Sequence, residues 1–166
     1  MGPTGAGGAI GYYGLFVSTA NQSNGGATTA NPVALDTTVY NSGITNASGV
    51  MTFPAAGAGQ YLITSELAVT NSTGSNPTVS AWLVQNGTNL AYTAQDIQLL
   101  GGANTVQMIE CTWILNVAAN DTVQVYWSSS VTTVSLIYQG ALTSPTRPAS
   151  PSAIVNVTQV MYTQLG

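Results

Sequence analysis

QYLITSELAVT, residues Gln60–Thr70, and TVQMIECTWILNV, residues Thr105–Val117, decide the fold between them. In the first stretch Tyr61, Ile63, Leu67 and Val69 recur at even spacing, which lines them along one face of an extended strand. The second stretch is the longest apolar run and reads as a strand that is apolar on both faces. Strands of that kind are normally covered on both sides. In a chain without helices, the simplest second cover is another copy of the same chain.

Working outward, the same period of two returns between turn residues throughout. Strands are expected at 12–19, 33–40, 50–53, 78–85, 89–100, 122–130, 131–140 and 153–165. Asn86-Gly87 is the strongest hairpin signal, because both residues tolerate the positive φ angles of a type I′ turn. Asn120-Asp121 marks a second turn, and the proline-rich segment 144–151 a loop. No helical periodicity of any length interrupts this pattern. The expectation is an all-β domain: a jelly-roll sandwich of about eight to ten antiparallel strands.

Composition narrows the function. Charged residues make up 4% of the 166, against about 25% in ordinary soluble domains. The surface is therefore polar but nearly uncharged, which favours permanent association over a solitary monomer. The single cation is Arg147, so no basic patch exists to hold nucleic acid or an anionic membrane. No apolar run approaches the roughly 20 residues that span a bilayer, and the start MGPTGAGG lacks the pattern of a signal peptide. Cys111 is the only cysteine and sits in an apolar strand, as a buried structural thiol would.

Catalytic chemistry finds little to work with. The chain has no histidine and no lysine, so neither a Ser-His nor a Cys-His pair can form. The carboxylates are Asp36, Glu66, Asp96, Glu110 and Asp121. Glu66 and Glu110 lie mid-strand and are expected to point outward or to bond at a subunit contact. Asp36, Asp96 and Asp121 lie in or near loops and are the calcium candidates, since calcium takes several oxygen ligands. Against that, Asp121 suits a turn residue bonding its own backbone. The reading is therefore no enzyme, no cofactor and no metal. Six Asn-x-Ser/Thr triplets, at Asn21, Asn46, Asn71, Asn86, Asn120 and Asn156, matter only on a eukaryotic secretory route.

The first fourteen residues form a segment of their own. Gly2, Gly5, Gly8, Gly11 and Gly14 fall at a strict period of three. Only glycine fits the crowded axis of a collagen triple helix, so residues 1–14 are expected to be collagen-like and 15–166 a separate head. With one proline in this stretch, such a segment needs a trimeric head to hold its register. The five glycines are the candidates for attachment to a capsid or a shaft. If Met1 is the natural start, they are the anchor.

Several pieces then resemble a known family. PAAGAGQYLITSELAVTN (Pro54–Asn71), preceded by Phe53, is similar to a Phe–Pro–Gly-x-Tyr strand entry. WLVQNGTNL (Trp82–Leu90) resembles a Leu-x-x-Asn-Gly hairpin, and ILNVAANDTVQVYW (Ile114–Trp127) a Leu-x-x-Gly-Asp-x-Val-x-Leu turn. AIVNVTQV (Ala153–Val160) resembles the closing strand. Together they span Phe16 to Leu165 and resemble the globular head of complement-type proteins and the tumour-necrosis-factor superfamily. The resemblance implies a homotrimeric jelly roll, often preceded by collagen triplets.

The low charge and the Asn/Thr/Gly/Ala-rich style resemble phage members of that family. The implied function is a virion-surface structural protein, a capsid decoration that contacts itself and a major capsid protein. The alternatives are the receptor-binding tip of a tail or head fibre, facing a host glycan or protein, and a spore or cell-surface matrix protein. Tyr12 and Tyr13 are expected to close the base of the trimer. Trp113 and Trp127 are expected in the core or at the subunit interface, and Tyr162 at the interface.

Overall fold

The computed structural model describes residues 11–162, and side chains through residue 161. Among them every regular element is a strand: β1 (Tyr13–Ser18), β2 (Gln22–Ser23), β3 (Asn31–Pro32), β4 (Thr37–Ser42), β5 (Thr45–Ala47), β6 (Val50–Thr52), β7 (Gly59–Asn71), β8 (Thr78–Gln85), β9 (Thr88–Asn89), β10 (Gln95–Gln98), β11 (Val106–Val117), β12 (Thr122–Ser129), β13 (Val134–Leu136), β14 (Leu142–Thr143), β15 (Thr146–Arg147) and β16 (Ala153–Tyr162). Several are two-residue fragments, and the longer ones correspond to the strands expected from period two.

Two seven-stranded sheets form the layers. The first runs β4-β1-β16-β7-β11, with β13 and β2 continuing beside the far end of β7. The second runs β10-β8-β12-β6-β5, with β3 and β9 attached to β12 and β8. All strand pairings within these sheets are antiparallel. The chain keeps switching layers: β4 lies in the first, β6 in the second, β7 in the first, β8 in the second. β11, β12 and β16 continue that alternation, which makes the sandwich a jelly roll.

Between the layers, alternate residues of each strand meet in one core. Tyr61, Ile63 and Leu67 of β7 face Val123, Val125 and Trp127 of β12 across it, all buried. Burying each such side chain is worth about 1.5–3 kcal/mol, so this shared interior is the main stabilising term. Phe53 and Tyr61 stack edge to face with centroids 4.6 Å apart, and the Tyr61 hydroxyl donates to the Gly57 carbonyl at 2.7 Å.

Some strands depart from expectation, each for a local reason. Residues 89–100 form no single strand, because the Thr93 hydroxyl captures the backbone. It donates to the Leu90 carbonyl at 2.9 Å and accepts from the Leu83 amide at 3.1 Å, folding Tyr92 into a positive φ of 65°. The strand expected at 33–40 joins its ladder only at Thr37, since Asp36 turns aside to bind the Thr19 amide at 3.0 Å. Of 131–140, only Val134–Leu136 forms a strand, with Gln139 making an isolated bridge to Ser150. The hairpin at Asn86-Gly87 has φ angles of 51° and 77°, as a type I′ turn requires.

The boundary at residue 14 shifts. β1 begins at Tyr13, and Gly14 pairs with Asn41 inside the first sheet. A Cβ there would lie 2.4 Å from the Phe16 ring, so this glycine serves the packing of the head. It is buried and is not available for attachment to a capsid or shaft.

Candidate functional site

The second face of the first sheet carries the most distinctive surface. Strand alternation sends Ile109, Cys111, Trp113 and Val117 of β11 into the core, and the residues between them outward. Their register with β7 and β16 builds rows across the sheet. From one end these are Asn116–Gln60–Met161, Ile114–Leu62–Thr158, Thr112–Thr64–Asn156 and Glu110–Glu66–Ile154. Met108 beside Ala68 continues the series on β11 and β7.

The rows at the Ile114 and Met161 end leave these side chains in water, whereas Ala68 and Thr70 at the other end of β7 are buried. Ile114 is 69% exposed and Met161 59%, and Met108 is also exposed. A β-branched side chain so far out on a central stretch of strand contributes little to the monomer. Among the described residues β11 pairs only with β7, and no other described strand bonds its far edge. The expectation that β11 is apolar on both faces holds only in part: its outward face mixes Ile114 and Met108 with Glu110, Thr112 and Asn116.

Glu66 and Glu110 stand directly opposite one another on β7 and β11. Both belong to the outward face, because their neighbours Ser65 and Cys111 are buried. Like charges in register repel, so the ladder carries this pair against its own interest. On the inner side, burial pushes the Cys111 thiol up, with the Ser65 hydroxyl offsetting part of the effect. It is an inert core thiol.

The three calcium candidates do not converge. Among the described residues no three His, Cys, Asp or Glu side chains gather where an ion could sit. Asp36 caps Thr19 and accepts from the Thr37 hydroxyl at 2.9 Å. Asp96 lies exposed on β10 in the other sheet. Asp121 accepts from Gln85 Nε2 at 2.6 Å, Asn86 Nδ2 at 2.7 Å and the Ala118 amide at 2.8 Å. Partial burial pushes its carboxyl up, but those three donors outweigh it and hold the group below its usual range. Asn86 also accepts from the Thr122 amide at 2.8 Å, so the two turns at this end are tied together.

The aromatic candidates divide. Trp127 is fully buried and fills the core of its own chain, and so cannot meet a neighbour. Trp113 is likewise buried, its Nε1 donating to the Thr93 carbonyl at 2.8 Å. Both are therefore core residues and not interface residues. Tyr12 is half-buried against the core, with its backbone amide donating to Gln159 Oε1 at 3.2 Å. Tyr13 stacks edge to face on Tyr40, 6.1 Å between centroids, at the β1–β4 margin of the sheet. Gly11 lies half-buried beside Gln159. Gly2, Gly5 and Gly8 lie outside the described residues, as does the side chain of Tyr162.

Ile114, Met108, Met161 and Tyr40, all exposed, are not among the site residues expected from the sequence. Alternation around Trp113 was signal enough for Ile114 and Met108. The β-bulge between Gln159 and Met161 shifts the phase, so nothing local revealed Met161.

No known sequence family matches the chain, and neither does any curated protein. Solved structures do. The globular domain of zebrafish complement 1qA protein superposes with a TM-score of 0.55 at 9% identity, covering 93% of this chain and 100% of that one. Murine APRIL, in crystals at pH 8.5 and at pH 5.0, gives 0.56 at 10% identity, covering 89% and 98%. At such identities the likeness is one of fold. The protein therefore shares the jelly roll of complement-type heads and tumour-necrosis-factor ligands, as its strand order requires.

Proposed function

We propose that this is a non-enzymatic, self-associating structural protein whose copies meet through the outward face of β11, β7 and β16. The observation that carries the reading is the uncovered row series around Ile114, Leu62 and Met161. Its members are aliphatic or uncharged polar apart from the two glutamates, so a second copy offers a matching surface. The Glu66–Glu110 pair is the one concentration of charge on it, so a strongly charged partner finds little else to select. The homotrimer expected from the family resemblance is the closed assembly that fits such a surface, and it would also cover the open β11 edge. A chain without histidine or lysine supports the absence of catalysis.

The setting proposed is a virion surface, with the trimer as a capsid decoration contacting a major capsid protein. Its support is the uncharged Asn/Thr-rich composition. The glycine period through residue 11 favours a second reading, a fibre tip seated on a collagen-like shaft and facing a host glycan or protein. Light scattering after size-exclusion chromatography tests the assembly, with a trimer mass expected. A stable monomer at micromolar concentration overturns it. Copy number against the major shell protein in particles then separates the settings: near-equal abundance marks a decoration, and a few dozen copies a fibre tip.

A further inference from the structure

We infer that the Glu66–Glu110 pair makes association between copies proton-linked, so that assembly tightens in acid and loosens as pH rises. The inference rests on the self-association reading above and concerns the same face. Residues directly opposite in an antiparallel pair hold their Cβ atoms about 4.5–5.5 Å apart, and this register sets two carboxylates at that spacing. In the free chain, water reaches them: Glu110 is exposed and Glu66 half-buried. Their outward neighbours are Thr64 and Ala68 on β7, Met108 and Thr112 on β11, and Ile154 and Asn156 on β16. None of these titrates or carries charge.

The chain's single cation is elsewhere. Arg147 sits on β15, donating to the Pro148 carbonyl at 3.0 Å and to Gln139 Oε1 at 3.4 Å. Within one copy, among the described residues, it makes no ion pair with either glutamate. When a second copy covers the face, water is displaced while two like charges stay within a few ångströms. Two such carboxylates in a drier site favour sharing a proton over remaining both ionised. Association then takes up protons, and linkage fixes the sign: the state that binds more protons is favoured as pH falls. The Ile154 side chain in the same row makes the covered site drier still.

The test measures the association constant of the full chain by sedimentation equilibrium from pH 5 to pH 8, for wild type and for Glu66→Gln/Glu110→Gln. Wild type should weaken with rising pH, approaching about tenfold per pH unit for each proton taken up per association step. The double variant should associate equally at every pH, at the tight acid level of wild type. Glu110→Gln alone should remove most of the slope and serves if the double variant fails to fold by circular dichroism. An assembly with no pH slope, or a slope that survives in the Gln variants, overturns the proton linkage while leaving self-association intact. Calcium restoring association at neutral pH without any effect of acid also overturns it. Monomers at every pH, in wild type and variants alike, overturn the self-association reading itself.

Discussion

Trp113 and Ile114 are neighbours on β11 and meet opposite fates. Trp113 points into the sandwich, buried against the core, with its indole N–H satisfied by the Thr93 carbonyl. Ile114 points the other way and leaves 69% of its surface in water. Both are large and apolar, and composition cannot tell them apart. The pleat of the strand separates them, since successive residues must face opposite sides. The inner face is bound to one answer by close packing, where a lost methylene is felt. The outer face carries aliphatic side chains that the monomer does not need. Such a surface on a nearly uncharged protein makes sense when something covers it.

Substituting on the two sides should sharpen that contrast. Trp113→Ala leaves a core void and orphans the Thr93 carbonyl, so unfolding in urea at fixed protein concentration should show a loss of about 3–5 kcal/mol. A loss below about 1 kcal/mol would mean that the inner face is no tighter than the outer. Ile114→Asp should fold with an unchanged far-ultraviolet spectrum. Its association, by light scattering, should weaken at least about a hundredfold, as an unpaired charge in a covered apolar contact costs several kcal/mol. Wild-type assembly by this variant would place the contact elsewhere.

The smallest effect belongs to the end of the sandwich, away from both faces. Asp121 is held below the usual carboxylate range by Gln85, Asn86 and the Ala118 amide. A group depressed in the folded state stabilises it above the unfolded value, and that contribution is lost as pH falls through the folded one. Thermal unfolding should therefore show an acid slope that Asp121→Asn reduces, with a slightly lower Tm at neutral pH. The slope runs opposite to the assembly slope expected from Glu66 and Glu110, so the two are separable in one pH series. An unchanged acid slope in Asp121→Asn would assign it to other carboxylates.

Much of this was legible in the residues. Period-two patterning located β7, β8, β11 and β12 nearly to the residue, because strand geometry imposes that period directly. Asn86-Gly87 announced its turn by the φ angles it alone tolerates cheaply. The strand expected at 89–100 failed, since Thr93 satisfies backbone groups that a ladder would have used. Trp113 and Trp127 illustrate a different loss: an aromatic in a strand is equally at home in a core or an interface, and only burial separates them.

The sequence by itself determined that the protein is all-β, nearly uncharged, and without histidine or lysine. Those are properties of local periodicity and of composition, which need no partner strand to be read. Tertiary structure alone decided that Gly14 belongs to the head and that Asp36, Asp96 and Asp121 stay apart. It also set Glu66 against Glu110 across two strands. That pairing joins residues more than forty positions apart, and its register follows from how both strands bury their inner faces. A slip of one residue in either strand would have turned that strand's carboxylate into the core.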